Sequence, residues 1–286
     1  MIIEQMLGST DYPQKSILQK LICYYMGLTH EQMWMQVTDE VSDAQLHDIR
    51  AGYEQYTVHK KPLEYIVGKV KFFDIDFVVT PATLIPRPET EYMILAIDEF
   101  LQANGQSHVL IDVGTGCGVL GISVLLRHSH LLEQAFLCDL STDALAVAKQ
   151  NLALLYKQSV PVTFVESNLV AFVEEQKIIT QTPIVLVANL PYIPDETFDN
   201  NADQTVKAWE PRMAFVWGND GLDLYRIMFA QLFALRDAKS IGSVTMFLEM
   251  MTRQTEILVT EFGNRILFEE VKTFHFNIRI VKAVLL

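Results

Sequence analysis

"LIDVGTGCGVLGIS", Leu110 to Ser123, decides the fold. An apolar run carries Asp112 near its end and opens into Gly114, Gly116 and Gly118, after which apolar residues continue at helical spacing. The pattern is strand, glycine turn, helix. Glycines allow the backbone to bend sharply and to approach a ligand with no Cβ in the way. The spacing is GxGxG, and Val119 stands where a dinucleotide-binding GxGxxG turn needs its third glycine. A dinucleotide therefore fits less well than a smaller nucleoside ligand. A glycine turn by itself is also a common tight turn, but "AFLCDL" ends in Asp139 on the next strand, where a carboxylate can accept both hydroxyls of a ribose. Asp112, Gly114, Thr115, Gly116, Cys117, Gly118 and Asp139 are the candidate ligand-binding residues of this segment.

The same alternation extends outward from this turn. A helix is expected from Ser141, then strands "VTFVES" and "PIVLVAN", a helix near Leu222 to Leu235, a strand "SVTMFLEM", a helix from Thr252 and a final strand pair ending at Leu286. Such alternation argues an α/β fold with a parallel, doubly wound Rossmann-like sheet and right-handed crossovers. Upstream, Ile17, Leu18, Leu21, Ile22 and Tyr25 form one face of an amphipathic helix, and Thr29 and Ser42 are N-caps of further helices. "YIVGKVKFFDIDFVV", Tyr65 to Val79, is rich in β-branched and aromatic residues and is expected to form a β-hairpin. Pro81, Pro86 and Pro88 keep "TPATLIPRPETE" extended until a helix starts at Pro88. The expected domains are a helical unit over 1–62, a hairpin linker over 63–82 and the sheet domain over 83–286. Asp195 to Gly221 shows no period and is expected to be a binding loop or lid. His128 and His130 are expected to be solvated loop residues.

Half of the 286 residues are apolar and a fifth are charged, and no apolar run reaches the roughly 20 residues of a membrane helix. The start, Met1-Ile2-Ile3-Glu4, has no basic segment or small-residue cleavage site, so no secretory signal is expected and the cytoplasm is the expected location. Three cysteines, none spaced as CxxC, argue against a disulfide framework or a structural zinc site, and no metal is expected. Twenty-two basic against 35 acidic side chains leave a formal charge of −13, which repels phosphate backbones and argues against a broad nucleic-acid footprint.

"LVANLPYIPD", Leu186 to Asp195, ends an apolar strand with an asparagine. Asn189 should lie on the same rim as Gly116 and Asp139. Its amide offers a carbonyl acceptor and an NH2 donor. With the carbonyl of Leu190, its oxygen can accept both hydrogens of a planar NH2 group while Tyr192 stacks on that plane. Alignment of this kind suits methyl transfer to a poorly nucleophilic nitrogen. Asn189 as a turn cap, with Tyr192 as filler, is the plainer alternative.

The glycines with their strand-end acids resemble the first motif of class I S-adenosylmethionine-dependent methyltransferases. "NLPY" is similar to the (N/D)PP(Y/F) motif of amino-group methyltransferases, with Leu190 replacing the first proline. "LIPRPETE" at Leu84 to Glu91, ahead of "DVGTGCG" and "NLPY", resembles the HemK/PrmC family, which methylates the glutamine side chain in the Gly-Gly-Gln motif of peptide-chain release factors. "WEPRMAF" at Trp209 to Phe215, "GNDGLDLYR" at Gly218 to Arg226 and "FLEM" are similar to further segments of that family. The resemblance implies S-adenosyl-L-methionine as cofactor, S-adenosyl-L-homocysteine as product and release factors as protein substrates; a monomer acting away from membranes is expected. It assigns Gly114 to Gly118 and Asp139 to the cofactor, with Asn168 and Leu169 near the adenine, where Asn168 replaces a usual acid. It assigns Asn189, Leu190, Pro191 and Tyr192 to the glutamine amide. Arg87, Glu89 and Glu210 are substrate-binding candidates or else braces of the linker and of the loop. "TFHFNIRIV", Thr273 to Val281, matches only loosely, and Arg279 receives no role. An N6-adenine methyltransferase acting on RNA or DNA, a ribosomal-protein glutamine methyltransferase and a non-catalytic cofactor-binding module are the alternatives.

Overall fold

A computed structural model describes residues 1–157, 159–273 and 278–286, and residues 274–277 of the "TFHFNIRIV" segment lie outside them. The chain divides into two compact units, Met1–Lys69 and Val70–Leu286. In the first unit, α1 (Ile3–Gly8), α2 (Lys15–Met26), α3 (His30–Met35), α4 (Asp43–Thr57) and α5 (Leu63–Val67) enclose a core that includes Met6, Leu18, Leu21, Ile22, Met33 and Ile49. Thr29 and Ser42 cap α3 and α4 by accepting from the backbone of Gln32 and Gln45, as their positions in the sequence predict.

The hairpin is shorter than the sequence suggests. Tyr65 to Val67 belong to α5, which Gly68 closes in the left-handed conformation, and only β1 (Lys69–Phe72) and β2 (Ile75–Val78) pair. The β-branched residues of this stretch are thus overruled by a helix C-cap. Asn151 fastens β2 to the sheet domain, donating to the Val78 carbonyl and accepting from its amide.

The second unit continues with α6 (Glu91–Asn104), β3 (His108–Val113), α7 (Val119–His128), β4 (Leu132–Asp139), α8 (Thr142–Leu155), β5 (Val162–Glu166), α9 (Ala171–Glu175) and β6 (Ile184–Ala188). Then follow α10 (Asp195–Asn201), α11 (Gln204–Trp209), α12 (Asp223–Asp237), β7 (Val244–Met251), α13 (Thr252–Phe262), β8 (Ile266–Thr273) and β9 (Ile278–Leu285). Seven strands form one sheet in the order β5-β4-β3-β6-β7-β9-β8. The first five in sequence run parallel, while β9 lies antiparallel to both β7 and β8, so the sheet is mixed at one edge. Strands β3 and β6 are buried along their whole length, which is why Val109–Ile111 and the whole of β6 are apolar.

The register positions the site. Val113 pairs with Cys138 on one side and with Ala188 on the other, so Gly114, Asp139 and Asn189 leave three adjacent strands at one level. That level is the crevice where the strand order reverses, which is where open α/β sheets bind ligands.

Two local expectations are corrected. His128 is buried, with Nε2 2.6 Å from Asp98, whose carboxylate also holds Arg127; only His130 is exposed. The Asp195 to Gly221 stretch contains α10 and α11, each too short to display a helical period in the sequence. Among the described residues no helix is long and apolar enough to cross a membrane.

Candidate active site

The glycine turn is built around two carboxylates. Gly114 and Thr115 both donate their backbone N–H to the Cys138 carbonyl at 2.9 Å, which binds the turn to the end of β4. Asp112 accepts from the Thr115 hydroxyl at 2.6 Å and from the Gly121 amide at 2.8 Å. It joins the strand to the turn and to the first turn of α7, and it does not line the cleft. Burial pushes its pKa up to about 6, against the lowering effect of those two bonds and with a further upward push from the charge of Asp139.

This shift has a sign that can be checked. Between the ordinary value near 3.8 and about 6, native Asp112 holds a proton that the unfolded chain has released. Its contribution to stability is therefore present below 3.8 and lost as pH rises through 6, an effect on the order of 3 kcal/mol. Asp112→Asn should gain in thermal midpoint relative to the parent protein when both are moved from about pH 5 to about pH 8. A difference between the two proteins that does not change with pH, measured by calorimetry, would refute the assignment.

Asp139 accepts from Gly116 N–H through Oδ2 and from Ser141 N–H through Oδ1, both at 2.9 Å. Burial raises its pKa, and the bonds from Ser141 and Gly116 oppose that rise. Each oxygen keeps a further lone pair, so the carboxylate can accept a pair of vicinal hydroxyls.

These residues open onto a cleft lined by Gly114, Thr115, Gly116, Cys117, Asp139, Asn168, Leu169, Asn189, Leu190 and Pro191. Most of the sites expected from the sequence thus meet at one place. Gly118 is not in the lining and instead caps α7. Burial raises the Cys117 thiol to about 12, so it contributes volume and no nucleophile. The other walls come from Thr83, Leu84 and Pro86 on one side and Pro211, Met213, Ala214 and Trp217 on the other. Composition alone gave no signal for these apolar walls.

Arg87 and Glu210 hold the two walls together. Arg87 Nη2 donates to Glu210 Oε1 at 2.7 Å, and Glu210 Oε2 accepts from the Ile85 amide at 3.1 Å. Glu210 is 6 % exposed and Arg87 lies over the ring of Phe215, so this pair braces the cleft. Glu89 is half-buried beside this segment and does not line the cleft.

Around Asn189 lies a polar network that the sequence reading missed. Asn189 Nδ2 donates to Thr90 Oγ1 at 3.3 Å, and Thr90 in turn donates to Glu249 Oε2 at 2.9 Å. Glu249 Oε1 accepts from the Tyr192 hydroxyl at 3.0 Å. Tyr192 does not line the cleft; it packs half-buried against the sheet core. Burial and the charge of Glu249 push its hydroxyl well above the usual tyrosine range, so it remains a donor. Gln254 secures the segment from below, its Nε2 donating to the Tyr192 carbonyl at 2.6 Å and to the Asp220 carbonyl at 2.8 Å. The available signals were a charged residue inside the apolar strand "SVTMFLEM" and a glutamine at the start of the next helix.

The site can therefore hold a ribose-bearing ligand against Asp139 and present amide acceptors to a planar nitrogen beside it. The chain is similar to known methyltransferases. The Methyltransferase small domain family matches residues 94–197, the span from α6 to α10 that holds the glycine turn and the Asn-Leu-Pro-Tyr segment. The hMettl16 catalytic domain, solved with a MAT2A 3'UTR hairpin, shares the fold at a TM-score of 0.52 and 13% identity, over 96% of this chain and 91% of that one. The release factor glutamine methyltransferase of Bacillus cereus is 30% identical over 224 residues, 77% of this chain and 75% of that protein. The protein of the same name from Moorella thermoacetica is 34% identical over 217 residues, 73% of this chain and 69% of its own length. With such similarity over 73 to 77% of its length, the chain belongs to the release factor glutamine methyltransferase family.

Proposed function

We propose that this enzyme transfers a methyl group from S-adenosylmethionine to the side-chain amide nitrogen of the glutamine in the Gly-Gly-Gln motif of peptide-chain release factors. The carrying observation is Asn189, which lines the cleft while its NH2 end is tied to Thr90. Its oxygen is thereby left to accept from a target NH2 group.

The residues present fit the cofactor. Asp139 retains acceptor capacity for a ribose diol, Gly116 lets backbone approach closely, and Asn168 offers an acceptor for an exocyclic amine. S-adenosylmethionine, when bound, supplies an electrophilic methyl group on a sulfonium. In this reading Asn189 Oδ1 and the Leu190 carbonyl accept the two hydrogens of the glutamine NH2 and orient its nitrogen; Pro191 flanks the amide, while Tyr192 fixes the segment from outside the cleft through Glu249. Orientation of this kind can contribute roughly 7 to 11 kcal/mol in ideal cases. Met213, Trp217 and the proline-rich segment supply apolar surface around the amide. The helical first unit binds the protein substrate, and the enzyme acts as a cytoplasmic monomer.

The adenine reading draws on the Asn-Leu-Pro-Tyr tetrapeptide, but the charge of −13 opposes it. Association with RNA should be weak, and a tight complex with a steep salt dependence would revive that alternative. The direct test is mass spectrometry of a purified release factor after incubation with the enzyme and S-adenosylmethionine. One methyl on the Gly-Gly-Gln peptide is expected; methyl found only in nucleic acid, or nowhere, refutes the reading. Asp139→Ala should weaken cofactor binding by roughly 10- to 150-fold in calorimetry. An unchanged dissociation constant in the folded variant would remove Asp139 from the site.

A further inference from the structure

We propose that Glu249 is a positioning residue for methyl transfer, holding the Asn189 amide in the orientation that turns its oxygen toward the cleft. The inference rests on the reading of Asn189 given above and extends it to a residue beneath the cleft. An asparagine amide has two ends of similar size, and a half-turn exchanges acceptor for donor. Only one of the two orientations can accept from a substrate NH2.

The sheet register brings the two residues together: Ala188 pairs with Leu248, so Asn189, just past the end of β6, is the neighbour of Glu249 within β7. Glu249 is 2 % exposed in a strand whose other central residues are apolar. As a carboxylate it only accepts. Thr90 has one hydroxyl proton and gives it to Glu249 Oε2, which leaves lone pairs facing Asn189. The NH2 end of Asn189 meets those lone pairs at 3.3 Å. A flipped amide would set its oxygen against the Thr90 oxygen beside a buried carboxylate, with no proton between them. Glu249 Oε1 meanwhile holds the Tyr192 hydroxyl, so a single side chain fixes both ends of the Asn-Leu-Pro-Tyr segment. Ionising so buried a group is unfavourable, and burial indeed raises the pKa of Glu249 in spite of its bonds to Thr90 and Tyr192.

Glu249→Gln preserves shape and removes the charge. It also introduces an NH2 that can donate to Thr90, freeing the Thr90 proton to point at Asn189 and to favour the flipped amide. The variant should keep or raise the thermal midpoint and keep the S-adenosylmethionine dissociation constant within about twofold, while kcat on purified release factor falls roughly ten- to hundredfold. A merely structural role would instead move stability and cofactor affinity. Thr90→Val, which breaks the same relay from the other side, should lower kcat in parallel. A double-mutant cycle is the decisive readout: Glu249→Gln should add little to the loss already caused by Asn189→Ala, because both act through one amide. If the parent enzyme methylates release factor but a folded Glu249→Gln protein matches its kcat, or if the two losses multiply, the proposal falls alone. If the parent enzyme leaves release factor unmethylated, the functional reading falls and takes this proposal with it.

Discussion

Asn189→Ala is expected to lower methyl-transfer turnover by roughly 10² to 10³, the usual effect of deleting one preorganised hydrogen-bonding group at a reacting centre. Its thermal midpoint should stay within a few degrees of the parent, because a group at the rim of the sheet contributes little more than about 1 kcal/mol. Asn189→Asp separates two causes. It keeps the acceptor, so it would rescue turnover if accepting from the substrate were the whole role of Asn189. The network argues otherwise: the NH2 of Asn189 already donates to Thr90, and Glu249 lies directly beyond. Aspartate would lose that donor and place a second carboxylate against a buried one. Two such groups share a proton, and the pair holds it more tightly in the native state than in the unfolded chain. Asn189→Asp should therefore be as inactive as Asn189→Ala near neutral pH. Its loss of midpoint relative to the parent should grow as pH rises from about 5 to about 8, because the native state keeps a proton that the unfolded chain releases. Single-turnover assays on purified release factor test the first point, and near-parental turnover for Asn189→Ala would overturn the mechanism.

The contrast between Asn189 and Glu249 shows what a sequence can disclose. Gly114 to Gly118, Asp139 and Asn189 stand at strand ends, and strand ends in an alternating α/β pattern converge by topology. They were legible one segment at a time. The bond from Thr90 to Glu249 joins residues 159 positions apart, and it is the packing of α6, which Thr90 precedes, against β7 that brings them together. No local pattern encodes that pairing. Glu210 illustrates the same limit from the opposite side: its segment was conspicuous, but whether it faced a substrate or Ile85 depended on a contact 125 positions away. Shorter-range failures had local causes. Tyr65 to Val67 are good strand residues placed before a glycine that closes a helix, and the cap prevailed over propensity. His128 looked like a loop residue because nothing in "RHSH" reveals that Asp98, on the preceding helix, lies against its ring.

Gly221→Ala should harm both stability and turnover, although Gly221 does not line the cleft. Its φ is +74°, a conformation in which an alanine costs roughly 1 to 2 kcal/mol. In addition, a Cβ there would lie 2.1 Å from the Tyr192 carbonyl oxygen and 2.8 Å from Gln254 Nε2. The nearer obstacle is backbone, so no rotamer change can relieve it. Either the Gly218–Gly221 turn or the Asn-Leu-Pro-Tyr segment must move, and Gln254 ties the two together through its bonds to Tyr192 and Asp220. A displacement of the segment shifts the acceptors of Asn189 and Leu190 relative to the glycine turn, and misplacement by about 1 Å can reduce rate on the order of 10²-fold. With strain and clash together on the order of 3 kcal/mol or more, the midpoint should fall by roughly 6 to 12 °C. Gly105→Ala is the internal control: Gly105 also has a left-handed φ, +62°, but a Cβ there meets nothing within 4 Å, so only the backbone strain remains. The control should lose only a few degrees and keep its turnover. If Gly221→Ala behaves like Gly105→Ala in calorimetry and in single-turnover methyl transfer, then the carbonyl of Tyr192 yields without cost, and the rigidity attributed to the Asn-Leu-Pro-Tyr segment is not what orients the substrate amide.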